Sequence, residues 1–280
     1  MISDQRLTPA RPDLADERLR GLVEAARFVE GRACRVVVPS CPVRRAARAD
    51  AALDTEALLG EPVTVYDEEE GWAWAQLGRD GYVGYLPADA LGPDGPEPTH
   101  RVATLRTFVF PGPDLKLPPL GHMPLGAGVS PVDVRGGWVR LAASGWVWGA
   151  HLAPEAVVEA DWVSVAERLL GVPYLWGGKT PIGLDCSGLV QLALARGGVS
   201  APRDTDMQEG SLGRPVSIDG DLARGDLVFW RGHVGIMRDG ERLLHANGHH
   251  MAVASEKLVE AVRRIENAGS GSPTTVRRLG

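Results

Sequence analysis

Residues 183–194 read Gly-Leu-Asp-Cys-Ser-Gly-Leu-Val-Gln-Leu-Ala-Leu, a polar turn followed by an apolar run. Asp185 is a good N-cap, and the apolar residues after it predict a buried helix with Cys186 in its first turn. A helix N-terminus favours an anion, and a neighbouring imidazolium can lower the pKa of a thiol well below its free value of about 8.5. We therefore predict a thiolate at Cys186, provided that a histidine lies beside it.

Two histidines downstream could supply that partner. His233 begins the run His-Val-Gly-Ile-Met, and His245 ends the run Arg-Leu-Leu-His. Because strand side chains alternate between faces, the two histidines share a face only in some hairpin registers. Pairing His233 with His245 pairs Met237 with Glu241 and leaves the three-residue loop 238–240, which contains a glycine that can adopt positive φ. A two-residue Asp-Gly loop would put the histidines on opposite faces, so we predict the first register.

Together these residues predict a site for nucleophilic catalysis. Cys186 is the candidate nucleophile, His233 the base and later the acid, and His245 the residue that orients the His233 ring. The alternatives are a packing cysteine with ordinary strand histidines, or a Cys/His metal site, although the spacing matches no standard zinc pattern. We interpret His249 and His250 as loop residues, and we expect neither a metal nor a cofactor.

The sequence from residue 160 onward predicts an α+β domain around this site. Helices are predicted at 161–170, 187–195 and 255–265, a set of strands at 222–246 with a tight turn at Asp239-Gly240, and a last strand at 274–279.

The sequence ahead of residue 160 predicts mainly β-structure. In residues 13–30 the apolar side chains recur at steps of three and four, which predicts one amphipathic helix. Short alternating runs then follow as far as residue 91, and a linker rich in Gly and Pro covers 92–99. The predicted organisation is an N-terminal helical segment at 1–32, small β-domains at 33–95 and 99–156, and the α+β domain at 160–280.

A sequence repeat is the basis for predicting two β-domains. Gly71-Trp72 and the following Gly81-Tyr82 recur as Gly137-Trp138 and Gly145-Trp146, each pair opening a short strand. Two copies of about 55 residues indicate two similar small barrels rather than one large sheet.

Composition restricts the function further. The chain has 280 residues with 44% hydrophobic and 24% charged side chains, which is typical of a folded globular protein. Its net charge of −6 gives no general attraction to nucleic acid or an anionic membrane, and no apolar run approaches the roughly 20 residues of a membrane span. The sequence does not begin with a basic segment followed by an apolar stretch, which is the pattern of a secretory signal, so we expect a cytoplasmic protein. The odd cysteine count suggests free thiols, and Cys34 and Cys41 have no predicted role beyond packing.

Six segments in order resemble the NlpC-type cysteine peptidases of bacterial cell-wall peptides. They are Pro173–Gly178, Asp185–Gly188, Pro202–Thr205, Gly225–Phe229, His233–Ile236 and His245–Ala246. The two upstream repeats resemble bacterial SH3-like domains, which one subgroup of that family carries as a pair. The resemblance implies a multidomain fold of two small all-β SH3-like barrels followed by an α+β, papain-like cysteine peptidase domain.

The same resemblance implies hydrolysis of the bond between γ-D-glutamate and a diamino acid in peptidoglycan stem peptides. Its catalytic residues would be Cys186, His233 and His245. Tyr174 would lie beside the oxyanion, with its hydroxyl joining the Cys186 backbone N–H. Tyr174 could equally be a packing residue at a strand edge.

Members with an SH3-like domain bind peptides through the free amino group of an N-terminal L-Ala. A buried ammonium needs an opposing carboxylate, and the resemblance implies that Asp185, Asp54 and Tyr82 supply that pocket. The subgroup has Glu where Asp54 stands, so Glu56 is a competing candidate. The alternative for Asp54 is a surface turn, and for Tyr82 the core of the barrel.

The hydroxyl groups of Ser187 and Thr205 match positions expected to hold the first residue of the substrate and its glutamate carboxylate. The resulting hypothesis is a cytoplasmic peptidase that recycles released wall peptides, with those peptides, and neither nucleic acid nor membrane, as partners. A secreted lysin acting on polymeric wall and a non-catalytic wall-peptide binding protein are the alternatives. The sequence leaves open whether the diamino acid is diaminopimelate, lysine or ornithine.

Overall fold

The computed structural model of the chain describes residues 4–280. It divides into two compact units, one ending at Val157 and the other beginning at Val158. The first three residues of the segment predicted at 1–32 lie outside the described residues. Within the described part of the chain, no helix is long and apolar enough to span a membrane.

The first unit is built from short strands. In chain order they are β1 (Leu14–Asp16), β2 (Arg27–Val29), β3 (Arg32–Val36), β4 (Ser40–Arg44), β5 (Leu53–Leu58), β6 (Pro62–Glu69), β7 (Trp72–Leu77), β8 (Val83–Pro87), β9 (Leu91–Pro93), β10 (His100–Val102), β11 (Arg106–Val109), β12 (Gly121–Pro124), β13 (Gly128–Val129), β14 (Pro131–Arg135), β15 (Trp138–Leu141), β16 (Gly145–Trp148) and β17 (Leu152–Pro154). Short 3₁₀ turns occupy Glu17–Leu19, Ala88–Ala90 and Gly149–His151.

Strands β3–β9 form the first β module, a single antiparallel sheet in the order β5-β4-β8-β7-β6-β3-β9. Alternate side chains of these strands point into one core, as the alternating sequence predicts. The buried core members are Cys34, Val36, Cys41, Val43, Ala57, Val63, Val65, Ala73, Ala75, Leu77, Tyr82, Leu86 and Ala90. Both cysteines pack there as free thiols.

Strands β10–β17 form the second β module, which repeats the pairing of the first. β10 pairs with β13 and β17 as β3 pairs with β6 and β9. The consecutive hairpins β14-β15-β16 match β6-β7-β8, and a bridge between Phe110 and Trp146 stands where β4 meets β8. The sequence repeat is therefore also a repeat of strand connectivity.

The amphipathic helix predicted at 13–30 is wrong. This segment instead holds the parallel pair β1 and β2, a 3₁₀ turn and a glycine, Gly21, at φ +80°. Leu14 is fully buried against Tyr66 and Trp74, whereas Leu22 is 73% exposed. The segment is held by contacts to the first β module rather than by one continuous apolar face, so tertiary packing overrides the local periodicity.

The second unit combines four α-helices with short and long strands within the described residues. They are α1 (Trp162–Glu167), β18 (Lys179–Thr180), β19 (Gly183–Leu184), α2 (Cys186–Arg196), α3 (Thr205–Ser211), β20 (Arg214–Val216), β21 (Leu227–Trp230), β22 (His233–Met237), β23 (Arg242–Asn247), β24 (Ala252–Lys257), α4 (Leu258–Asn267) and β25 (Thr275–Arg278).

Six of these strands form an antiparallel sheet in the order β20-β25-β21-β22-β23-β24. Helix α2 packs against β22 and β23, which brings its N-terminus close to the strands that carry the two histidines. The helix predicted at 187–195 and the last strand are confirmed. Helix α3 was not predicted, and the start of the helix predicted at 255–265 belongs to β24 instead.

Candidate active site

Cys186 is the first residue of α2, as the sequence predicts, and it is 6% exposed. The N-cap is Asp185, whose Oδ1 accepts the backbone N–H of Gly188 at 2.7 Å. Nearly every side chain of α2 is buried, so the apolar run fixes the helix in the core and the cap fixes where it begins. Together they set the position of the sulfur.

The Asp185 carboxylate forms a buried ion pair with Arg203, which is 1% exposed. Arg203 Nη2 lies 2.7 Å from Asp185 Oδ2 and Nη1 lies 3.0 Å from Oδ1, and the N–H of Gly177 donates to Oδ2 at 2.9 Å. The Ser187 hydroxyl accepts from Arg203 Nη1 at 2.8 Å. Asp185 therefore joins the start of α2 to the chain around Arg203, and its role toward a substrate ammonium stays a prediction.

The hairpin of β22 and β23 does not have the predicted register. Met237 pairs with Leu243 rather than with Glu241, and the N–H of Arg238 donates to the carbonyl of Arg242. The loop is therefore 239–241 and not 238–240. The shift between the strands is two residues, an even number, so both histidines still point to the same face of the sheet.

The side chain of Asp239 explains this register. Its Oδ1 accepts the backbone N–H groups of Glu241 and Arg242, both at 2.8 Å. An aspartate that hydrogen-bonds the backbone two and three residues onward fixes a turn through its side chain. Positive φ at Gly240, on which the predicted loop depended, is not found in this turn.

The two histidines meet on the diagonal between β22 and β23. His233 Nε2 lies 2.8 Å from His245 Nδ1, and His245 Nε2 lies 2.8 Å from Glu256 Oε1 on β24. Arg264 on α4 contacts the same Glu256 oxygen. A carboxylate only accepts, so His245 carries its proton on Nε2 and accepts at Nδ1 from His233 Nε2–H. His233 Nδ1 then keeps its lone pair.

That lone pair is the one that can serve Cys186. The backbone N–H of Val234, the residue after His233, hydrogen-bonds the Cys186 sulfur. The Thr205 hydroxyl lies 3.7 Å from the same sulfur. With Nε2 of His233 engaged by His245, Nδ1 is the nitrogen available as a base for the thiol.

The predicted thiolate at Cys186 is not supported. The pKa of the Cys186 thiol is raised to about 11, mainly by burial and in part by the charge of Asp185. The pKa of His233 is lowered to about 3, again mainly by burial and in part by neighbouring His245. Desolvation acts against the helix N-terminus here, so both shifts favour the uncharged thiol and the uncharged imidazole in the free site.

Tyr174, Ser187 and Thr205 all belong to the second unit. The pKa of the Tyr174 hydroxyl is raised to about 12, mainly by burial and in part by electrostatic interaction with Cys186 and Asp185. Tyr174 is thus within electrostatic reach of the sulfur, while its backbone also bridges to Leu184 at a strand edge. Ser187 and Thr205 are 5% and 9% exposed.

Asp54 and Tyr82 belong to the first unit. Asp54 lies on β5, where its carboxylate pairs with Arg45 at 2.7 Å, and Glu56 lies two residues further along the same strand. Tyr82 is 4% exposed in the core of the first β module. Their predicted contact with a substrate amine stays a prediction.

Sequence reasoning missed Glu256 and Arg264, and for Glu256 the reason is that the sequence predicts a helix from residue 255. Glu256 lies on β24 instead, two residues from the partner of His245, which is Ala254. A signal was available in the sequence. Glu256 is an acidic residue two positions from the partner of His245, so on a strand it lies on the same face of the sheet as that buried histidine. Among the described residues, His245, His250 and Glu256 are the group that could hold a metal ion.

Comparisons with known proteins identify similar sequences and a similar fold. The sequence pattern of the NlpC/P60 family matches residues 171–266, and that of the bacterial dipeptidyl-peptidase SH3 domain matches residues 43–91. A Bacillus cereus NlpC/P60 family protein of known structure superimposes with a TM-score of 0.75 at 18% identity, over 89% of this chain and 99% of that one. That similarity shows the fold.

Curated relatives include dipeptidyl-peptidase 6 of Lysinibacillus sphaericus, 36% identical over 41% of this chain and 44% of the relative. The γ-D-glutamyl-L-lysine dipeptidyl-peptidase of Bacillus cereus is 26% identical over 64% of this chain and 60% of the relative. A Bacillus subtilis protein of the same name is 28% identical over 78% of this chain and 80% of the relative. The chain thus spans 44% and 60% of the first two relatives.

Proposed function

We propose that this protein cleaves γ-D-glutamyl-diamino acid bonds. Its residues 171–266 form an NlpC/P60 cysteine peptidase domain, and residues 43–91 match the bacterial SH3 domain. The substrates are peptides released from peptidoglycan that have a free N-terminal L-Ala. The hydrogen-bonded series His233, His245 and Glu256 beside Cys186 is the observation that carries the proposal. The names of two relatives, which specify γ-D-glutamyl-L-lysine, support the choice of bond.

The reaction begins with proton transfer from the Cys186 thiol to Nδ1 of His233 as the sulfur attacks the γ-carbonyl carbon of D-glutamate. Because the resting thiol is neutral, transfer and attack occur together rather than from a preformed thiolate. The carbonyl oxygen becomes an oxyanion, which the backbone N–H of Cys186 and the hydroxyl of Tyr174 stabilise.

Collapse of this intermediate breaks the C–N bond, and His233 returns its proton to the leaving amine of the diamino acid. The product is a thioester between Cys186 and the γ-carboxyl group. A water molecule then attacks the thioester while His233 takes its proton, and the sulfur leaves and is reprotonated by His233. The enzyme is restored, with L-Ala-D-Glu as the second product.

His245 and Glu256 act on this cycle through the His233 ring. Each time His233 accepts a proton at Nδ1, it becomes an imidazolium whose Nε2–H points to His245 Nδ1. The Glu256 carboxylate, hydrogen-bonded to the far side of His245, offsets that positive charge. The pair thereby keeps the lone pair of His233 on the nitrogen that serves the thiol.

The proposal also covers recognition of the substrate amine. Asp185, Asp54 and Tyr82 are assigned to the L-Ala ammonium by resemblance, with Glu56 as the alternative to Asp54. A desolvated ammonium group needs carboxylate partners. We also propose that the second β module is SH3-like, because it repeats the strand pairing of the first. We also propose that the protein recycles peptides released from the cell wall and that it does so in the cytoplasm.

Incubation with the tripeptide L-Ala-γ-D-Glu-diamino acid, followed by mass spectrometry, tests the activity. We expect L-Ala-D-Glu and the free diamino acid as products, with no turnover by Cys186→Ala. Tripeptides with diaminopimelate, lysine or ornithine identify the preferred diamino acid. Intact wall digested in preference to the tripeptide would point to a lysin, and binding without cleavage by the unaltered protein would point to a binding protein.

Acetylation of the L-Ala amine tests the recognition. The acetylated tripeptide should not be cleaved, and Asp54→Asn should raise KM for the free tripeptide more than it lowers kcat. Glu56→Gln is the matched variant on the same strand, and a larger effect there would transfer the role to Glu56. Equal cleavage of both tripeptides would exclude the ammonium pocket.

A further inference from the structure

Three side chains beside the catalytic histidines are arranged as metal ligands. His245, His250 and Glu256 each offer one ligand atom, and these atoms lie within 4.8 Å of one another. Two imidazole nitrogens and one carboxylate oxygen, with water in the fourth position, are a ligand set that Zn²⁺ takes readily. The same set is poor for Mg²⁺, which prefers oxygen ligands and keeps its waters.

Each histidine of the set is held by a second hydrogen bond. His245 is fully buried, its Nδ1 faces His233, and its Nε2 lies 2.8 Å from Glu256. The His250 ring is held by Asn247, whose Oδ1 lies 3.0 Å from Nδ1 of His250 and accepts the His250 backbone N–H at 2.9 Å. An oxygen partner such as Asn247 Oδ1 orients a histidine ligand in a metal site.

The set is also open on one side. His250 is exposed, and the Glu256 side chain is 13% exposed. An ion could therefore reach the buried nitrogen of His245 from the surface at His250. Arg264 contacts Oε1 of Glu256 and opposes a cation, so the ion would use the other carboxylate oxygen and bind less tightly than at a structural zinc site.

We propose that His245, His250 and Glu256 form an inhibitory site for Zn²⁺. The existence of the site is independent of the proposed function, whereas the inhibition rests on that function. A metal on Nε2 of His245 needs the lone pair of that nitrogen, so the proton of His245 moves to Nδ1. On Nδ1 this proton faces the Nε2–H of His233, and two N–H groups cannot form a hydrogen bond with each other.

The conflict is relieved when the proton of His233 moves from Nε2 to Nδ1. Nε2 can then accept from His245, but Nδ1, the nitrogen that serves Cys186, now carries a proton. Each ring keeps one proton throughout, and only its position changes. His233 thereby loses its capacity to act as base, and the attack of the sulfur is blocked.

Zinc binding is measured first by calorimetric titration of Cys186→Ala protein, in which the thiol cannot act as a competing ligand. On that background, His250→Ala should weaken binding by at least about tenfold, whereas His249→Ala should leave it unchanged. His249 is the neighbouring exposed histidine and lies outside the ligand set. Equal zinc affinity in the His249 and His250 variants would overturn the site.

Inhibition is measured next, with protein that retains Cys186 and the tripeptide substrate in buffered Zn²⁺, each variant compared with its own zinc-free rate. The unaltered protein and His249→Ala should lose activity over the same zinc range, and His250→Ala should need at least about tenfold more zinc. Mg²⁺ should have no effect. Zinc bound without loss of rate would overturn the inhibition. If neither the unaltered protein nor any variant cleaves the tripeptide, the proposed function is wrong. The calorimetric titrations then still show whether the zinc site exists.

Discussion

His233 Nε2 lies 2.8 Å from His245 Nδ1, although the two residues are not cross-strand partners. His245 and Glu256 are likewise diagonal across β23 and β24, since His245 pairs with Ala254. Diagonal neighbours stand farther apart than direct partners, which leaves room for ring nitrogens and a carboxylate to meet end to end. The three adjacent strands thereby align one continuous path of hydrogen bonds toward Cys186.

Removal of the carboxylate at the end of this path should slow catalysis. Glu256→Ala should lower kcat by about 10- to 100-fold, the range seen when a group that orients a functional histidine is lost. KM should change little, because Glu256 acts on His233 and not on the substrate. The kcat of Glu256→Gln should lie between those of the unaltered protein and Glu256→Ala. The glutamine amide oxygen can still accept a hydrogen bond from His245, but it carries no charge.

Glu260→Gln, an exposed change on α4, is the matched control and should retain full activity. Kinetics with the tripeptide substrate give kcat and KM separately for each variant. A rise in KM at constant kcat in Glu256→Ala would contradict the assignment of Glu256 as a positioning residue.

The raised pKa of Cys186 predicts slow alkylation at neutral pH. Because its pKa is about 11, the thiolate fraction at pH 7 is small and increases tenfold with each pH unit until that value is approached. The rate of modification by iodoacetamide, followed by mass spectrometry of the peptide that contains Cys186, should therefore increase throughout the range from pH 7 to pH 10. A rate that levels off below pH 8 would indicate a preformed thiolate instead.

Two leucines of the N-terminal segment should differ strongly in their effect on stability. Leu14 is fully buried against Trp74 and Tyr66, and Leu22 is 73% exposed. Leu14→Ala should lower the free energy of unfolding by about 2–5 kcal/mol, and Leu22→Ala should change it by less than about 0.5 kcal/mol. Urea unfolding followed by tryptophan fluorescence measures both. Similar losses of stability in both variants would contradict this structure of the segment and favour the predicted amphipathic helix.

These leucines show where sequence reasoning failed and why. Leu14 and Leu22 both fit the periodicity of a helix, and local spacing carries no information about the aromatic surface that binds only one of them. Prediction succeeded at α2, where an N-cap and an apolar run agree and the helix lies in the core. At the hairpin it placed both histidines on one face despite a wrong register, because the error was an even number of residues.

The remaining site residues depend on contacts between different elements of the fold, which local spacing does not specify. Arg203 reaches Asp185 from a loop, and Glu256 reaches His245 from a strand that the sequence predicts as helix. The thiolate prediction failed for a related reason. Burial of Cys186 depends on packing of the whole unit, and its effect on the pKa acts against that of the helix N-terminus that the sequence does predict.

The last prediction concerns acid stability of the second unit. Arg224 and Arg238 pair with Glu167 at 2.9 Å and 2.8 Å, and these hydrogen bonds, led by that of Arg224, lower the pKa of Glu167 to about 2. The pKa in the folded state lies below the unfolded value of about 4.3. The stabilisation is therefore complete above the unfolded value and is lost as the pH falls from there toward 2.

Glu167→Gln should accordingly lower the free energy of unfolding by about 1–2 kcal/mol at pH 7, after allowance for solvent around a partly exposed pair. The difference from the unaltered protein should shrink as the pH falls and be only a minor part of its pH 7 value at pH 2.5, where the unfolded carboxyl group is protonated. Urea unfolding at both pH values measures this change, with the exposed Glu260→Gln as the control that shows no such dependence. A difference that is the same at both pH values would mean that Glu167 stabilises the fold through packing and not through its charge.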